Sequence, residues 1–249
     1  DGMTEVPESR WRADDFYDPS GSPGSTNTRC AGFVEDADAF DRAFFGMSAE
    51  DAAACDPQVR LLLQCAWRAL EDACLDPRAQ AGSNTGVYVG IMSSDWFNMT
   101  MTDFPSITKH VGAGVGYTIT ANRLSHALDL RGPSMAIDTF CSSSLVAAHN
   151  ACVSLRAGEI DQALVAGVNL LVTPATSIYI TQAGLSSPDG RSKPFSSNAD
   201  GFGRGEGIGV VVLRRLEDAL AEGLPIYAVI KGGAVNHDGR SPTGVTSPN

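Results

Sequence analysis

Long apolar runs are missing from this chain. No stretch approaches the roughly 20 consecutive apolar residues that a membrane-spanning helix needs, and no signal peptide is read in it, so neither a membrane span nor secretion is expected. Positive charge is scarce as well: 18 Lys and Arg stand against 29 Asp and Glu, a formal net charge of −11. No basic run offsets that balance, which argues against a nucleic-acid backbone as the main partner. Charged residues reach only 19% while hydrophobic ones make up 43%, so the chain is neither disordered nor short of core-forming side chains.

Other signatures are absent too. The six cysteines (Cys30, Cys55, Cys65, Cys74, Cys141 and Cys152) include no Cys-x-x-Cys pair, and a chain of 249 residues needs no disulfide staples, which fits a reducing cytoplasm. Cys55, Cys65 and Cys74 lie on or beside an apolar helical stretch and read as small buried hydrophobes. The four histidines show no metal-ligand spacing. The glycine-rich stretch from Gly201 to Gly207 lacks the Gly-Lys-Ser/Thr ending of a phosphate loop, and the G-x-G-x-G at 112–116 lacks a preceding strand and reads as a flexible turn. The sequon Asn98-Met99-Thr100 carries no weight without a secretory signal.

What is present is an α/β alternation. Residues 1–32, rich in Gly, Pro and Ser, read as irregular surface structure, and a short helix is expected over 38–45. A longer helix follows, with Asp56 as N-cap, Pro57 at the first helical position, and Val59, Leu62, Leu63, Ala66, Trp67 and Leu70 on one face. Strands are expected at 85–92, 134–140, 163–171, 208–216 and 226–235, helices at 142–157 and 217–223, and a loop over 93–116. Strands apolar on both faces predict a sheet covered by helices.

The segment Asp138-Thr139-Phe140-Cys141-Ser142-Ser143-Ser144-Leu145 carries the chemistry. A strand ends, a helix starts, and Cys141 stands between them. Unpaired backbone N–H groups at a helix start favour a thiolate, and a sharp turn lifts the sulfur off the sheet edge. By position alone, a small core cysteine is as good a reading as a nucleophile.

D-T-x-C-S-S-S-L resembles the active-site motif of the β-ketoacyl synthase (ketosynthase) domains of type I modular polyketide synthases. Further blocks in the same order are similar to that family: TEVPESRW (4–11), the stretch 38–73 with its DPQVRLLLQ core, NTGVYVG (84–90), NRLSHALDLRGPSMAIDT (122–139), FSSNADGFGRGEGIGVVVLRRLEDA (195–219) and NHDGRSPTGVTSPN (236–249). The resemblance implies the thiolase-like αβαβα layered sandwich, of which this chain would be the N-terminal half plus the start of the second half. Residues 1–249 would form a partial synthase domain, lacking the family's first strand and the later part that holds both histidine motifs. It implies an acyltransferase performing decarboxylative Claisen condensation. Cys141 accepts an acyl chain from the phosphopantetheine arm of an acyl carrier protein, and a malonyl-type extender on carrier protein then attacks it. No cofactor would be bound by the segment itself. The implied partners are the acyl carrier protein, a second copy in a homodimer and the rest of the polyketide synthase chain. Two alternatives stay open: a non-elongating ketosynthase that only loads or passes acyl groups, and a structural dimerisation scaffold.

Phe140 departs from the family, which commonly has Ala there. His110, His126, His149 and His237 match neither histidine motif; His149 is expected in the core and His237 in a turn. Glu206 reads as structural, and Arg204 as a surface ion-pair partner.

Overall fold

The computed structural model describes residues 2–93 and 95–240. Its centre is a four-stranded mixed sheet in the order β4-β3-β5-β6, where β3 is Thr85–Gly90, β4 Ser134–Ile137, β5 Gln162–Asn169 and β6 Gly207–Arg214. β3 lies parallel to β4 and β5, and β6 runs antiparallel to β5 from Gln162↔Arg214 to Asn169↔Gly207.

The period-2 pattern of the central strands assigns their faces. Val87 and Val89 of β3 and Leu164, Ala166 and Val168 of β5 form one buried cluster with α2 (Pro57–Asp72) and α5 (Tyr117–Ala127), through Leu62, Leu63, Ala66, Leu70, Ala121 and Leu124. Tyr88, Ala163 and Val165 point the other way, onto Ala147, Ala151 and Leu155 of α6 (Ser143–Ala157). The result is three layers, helix–sheet–helix, matching the N-terminal half of the sandwich expected from sequence. The outward side of α6 is apolar too: Leu145 is 75% and Val153 49% exposed.

α2 forms as expected. Asp56 accepts a hydrogen bond from the N–H of Gln58 at 2.8 Å, and Val59, Leu62, Leu63, Ala66 and Leu70 are buried, with Trp67 half-buried. α6 stops at Gly158, whose φ of +71° makes the left-handed cap. α8 (Leu216–Ala221) follows β6 and ends shortly before Gly223.

Several expectations are corrected. Residues 38–45 form turns, because Phe40 stacks on Phe45 at 5.3 Å and Phe44 packs edge-on against Trp67 at 4.7 Å, so aromatic packing fixes the path. The 93–116 segment holds α3 (Asp95–Thr102) and α4 (Lys109–Gly112), and α1 (Ala49–Ala54), α5 and α7 (Ala175–Gln182) were not marked by period. The 1–32 segment contributes β1 (Met3–Glu5) and β2 (Cys30–Gly32), which pair antiparallel, and it buries Ser25 and Thr26. The G-x-G-x-G turn is packed rather than free, since a Cβ on Gly114 would stand 2.5 Å from the carbonyl oxygen of Ala54. The 226–235 run forms no strand: no described strand pairs with it, and its contacts are instead side-chain bonds, from Tyr227 to Asp72 and from Arg156 to the carbonyls of Ile230 and Lys231. Residues 241–249, the end of the last resembling block, lie outside the described residues.

Candidate active site

The three parallel strands end on one side of the sheet, where α/β folds bind ligands. β4 stops at Ile137, three residues short of the expected end, and residues 138–142 make a tight turn before α6. Cys141 is exposed in that turn, two residues before the helix, with Ser142 as N-cap.

Short polar side chains fold the turn. Asp138 Oδ1 accepts from the N–H of Phe140 at 3.0 Å. Ser142 Oγ donates to the carbonyl of Thr139 at 2.9 Å. Buried Ser143 accepts from the N–H of Thr139 at 2.9 Å and donates to the carbonyl of Phe140 at 2.6 Å. Phe140 is held at φ +58°, a left-handed conformation that costs a non-glycine residue on the order of 1–3 kcal/mol. Strain immediately before the cysteine is what a sharp nucleophile turn requires.

Beneath the turn the sheet has no side chains. Gly90 and Gly167 are register partners; a Cβ on Gly90 would stand 2.6 Å from Ser144 Cα, and one on Gly167 3.0 Å from Ser144 Cβ. The start of α6 therefore sits directly on backbone. The signals for these residues were in the sequence: glycines inside strands mark close backbone approach, and Asp and Ser flanking a cysteine mark a side-chain-bonded turn.

A cavity of about 400 Å³ opens at the same sheet end, lined by Ser93, Asp95, Asn98, Tyr117 and Thr176 among others. Buried Asp95 accepts from the N–H of Thr173 at 2.9 Å, and the Tyr117 hydroxyl donates to the carbonyl of Met92 at 3.1 Å. Burial, and then the carboxylates of Asp138, Asp95 and Asp56, push the Tyr117 hydroxyl pKa up.

The other thiols differ from one another. Cys55 is buried, which pushes its pKa up to about 11, and burial also raises that of half-buried Cys65. Cys74 corrects the expectation of a buried residue: it is exposed, at φ +57° just past the end of α2, because the chain turns left-handed there and points it outward.

No histidine joins Cys141. His110 bonds Asp51 at 2.7 Å, His126 is exposed on the last turn of α5, and His237 accepts from the N–H of Gly239 inside its own turn. His149 is half-buried rather than in the core, because α6 turns it away from the sheet. Among the described residues no His, Cys, Asp or Glu cluster suits a metal ion, and no helix is long and apolar enough to cross a membrane.

Two residues of the glycine-rich stretch separate. Glu206 is fully buried and structural, bound by Arg10 at 2.9 and 3.0 Å and by the N–H groups of Val34 and Leu171, each at 2.9 Å. Arg204 is not in a surface ion pair: its side chain is largely enclosed, with Nη1 buried, since the chain turns it under the N-terminal loop.

Residues 1–219 match the family model described as beta-ketoacyl synthase, N-terminal domain. The chain is 48% identical over 248 residues to a phenolphthiocerol/phthiocerol polyketide synthase of Mycobacterium tuberculosis, covering 99% of this chain and 16% of that protein. It is 44% identical over 250 residues to the 6-methylsalicylic acid synthase of Aspergillus niger, covering 100% of this chain and 14% of that one. The chain thus spans about one sixth of the length of the curated relatives it matches. Among solved structures, the ketosynthase from module 6 of the bacillaene synthase of Bacillus subtilis superposes with a TM-score of 0.90 at 39% identity, covering 99% of this chain and 40% of that one. The oxazolomycin ketosynthase domain of Streptomyces albus gives 0.89 at 38% identity, covering 96% of this chain and 42% of that one. These neighbours have the thiolase-like fold.

Proposed function

The chain belongs to the β-ketoacyl synthase family, and from that premise we propose that it carries the acyl-accepting half of a polyketide ketosynthase site, with Cys141 as nucleophile. The observation that carries this reading is the exposed Cys141 on a strained, side-chain-bonded turn directly before α6. The thiolate attacks the thioester carbonyl of an acyl chain on the phosphopantetheine arm of an acyl carrier protein. The carbonyl π electrons move onto oxygen, where backbone N–H groups at the turn and helix start act as donors. Collapse of that oxyanion expels the phosphopantetheine thiolate, which takes up the proton given up by Cys141, and leaves the acyl group on sulfur.

In the second half-reaction a malonyl-type extender loses CO₂, and the electron pair freed at its α-carbon attacks the Cys141 thioester carbonyl; collapse of the resulting oxyanion breaks the C–S bond, returns the Cys141 thiolate and leaves the β-ketoacyl chain on the carrier protein. This step needs aimed donors for an enolate-like charge, and none of His110, His126, His149 and His237 is offered for that role. Residues 1–249 are one part of a synthase domain, acting in a cytoplasmic homodimer within a longer polyketide synthase.

The test uses the full-length domain. Wild type incubated with an acyl-carrier thioester gains the acyl mass, and Cys141→Ala gains none while keeping its circular dichroism spectrum. An adduct that persists in Cys141→Ala overturns the assignment. Acylation without CO₂ release from labelled malonyl-carrier would favour a non-elongating domain.

A further inference from the structure

Two buried donors share one small space far along the chain from Cys141. Trp11 Nε1 and Arg204 Nη1 are both shielded from solvent, and neither meets an acceptor among the described residues. Both groups only donate, and a guanidinium does not give up its proton in proteins, so neither can satisfy the other. The two side chains line the same cavity of about 10 Å³, together with the hydroxyl-bearing Thr26, Thr28, Ser177 and Ser186.

The nearby carboxylate is already committed. Glu206, two residues from Arg204, uses both oxygens on Arg10, Val34 and Leu171. Burial works against the charge on Arg204, and the Asp95 carboxylate supports it. A polar cavity of roughly 10–15 Å³ holds one water-sized species when two or more polar groups converge on it.

We propose that Trp11 and Arg204 form a buried site for a single small hydrogen-bond acceptor, a water molecule or a halide ion, that ties the N-terminal loop to the glycine-rich turn before β6. The occupant accepts from both donors at once. The surrounding hydroxyls rotate to complete its shell, accepting from a water or donating to a halide. A halide also adds counter-charge to Arg204 beside that of Asp95.

Crystals of the full-length domain soaked in sodium bromide, with data collected at the bromine absorption edge, test the site. A peak is expected within hydrogen-bond distance of both nitrogens; an anomalous signal identifies a halide, and a peak without one identifies water. Trp11→Phe removes one donor and keeps an aromatic ring, and the refined occupancy is expected to fall at least about two-fold. Absence of density between the two nitrogens would overturn the proposal, as would a peak whose occupancy is the same in Trp11→Phe.

Discussion

Gly90 and Gly167 face each other across β3 and β5, and together they make the floor on which Ser144 rests. A methyl group on Gly90 would meet the backbone of the first turn of α6 rather than a side chain that could swing away. The helix would have to lift, carrying the Cys141 turn with it. Displacement of a reacting group by about 1 Å costs on the order of 10²-fold in rate. Gly90→Ala is therefore expected to slow acyl loading of the full-length domain by about that factor, with secondary structure retained. Gly167→Ala should be milder, because its contact is the Cβ of Ser144. Loading at the wild-type rate in Gly90→Ala would show that the glycine floor does not set the turn.

Removing one partner of the Arg10–Glu206 pair should be expensive for stability. Glu206→Ala leaves a partly buried guanidinium and two backbone N–H groups without their acceptor. Breaking a buried pair in this way costs roughly 3–5 kcal/mol. Arg10→Met should cost less, because Glu206 keeps the N–H groups of Val34 and Leu171. Urea unfolding of the full-length domain measures both, and a reversed order would mean that Arg10 carries the junction.

Cys74 provides an internal control for Cys141. Both are exposed, but Cys74 lies just past the C-terminal end of α2, while Cys141 lies just before α6. Helix termini bias charge by about 0.3–1 kcal/mol each and with opposite sign, so Cys141 should be alkylated on the order of ten-fold faster than Cys74 at pH 7. Cys55, with its pKa pushed up to about 11 by burial, should react last and gain rate only as pH rises toward that value. Peptide-level mass spectrometry reads all three, and equal rates at Cys74 and Cys141 would leave exposure as the only cause of reactivity.

The turn at 187–203 should loosen in acid. Lys193 bonds Asp200 at 2.7 Å and both Asp189 and Ser187 at 3.0 Å, and the buried Ser187 hydroxyl lies 2.7 Å from Asp189 and 2.8 Å from Asp200, with one proton to share between the two carboxylates. Bonds from Ser187 and then Lys193 hold the Asp189 carboxyl down at about 2, and the Asp200 carboxyl is lowered chiefly by Lys193. A carboxyl depressed in the folded state stabilises it fully above the ordinary carboxylate range, and that contribution is lost as pH falls toward the folded value. Amide-exchange protection at Gly190 and Phe202 should therefore drop between pH 5 and about pH 2 more than protection in β5 does. Parallel loss in both would place the acid-sensitive groups elsewhere.

How much of this was legible depended on whether neighbours in sequence decide the structure. α2 could be read because its cap, its proline and its apolar face are all local. The Cys141 turn could be located because Asp138, Ser142 and Ser143 bond within the turn itself. α3 and α4 could not, being short and largely exposed, without an apolar stripe. The 226–235 run has a strand's composition, yet a strand exists only where another chain segment completes its ladder. Arg204 looked like a surface cation because nothing near it in sequence reveals that the N-terminal loop folds over it.

The separation of Arg10 from Glu206 also sets a clock. The two side chains are 196 residues apart in the chain. At a synthesis rate of about 5–20 residues per second, that separation corresponds to roughly 10–40 seconds on the ribosome. Until then Arg10 lacks the Glu206 carboxylate, and by the end of the interval β3, β4 and β5 have emerged and can pair. The N-terminal loop is therefore among the last parts to settle during translation, and it closes over a sheet that is nearly built.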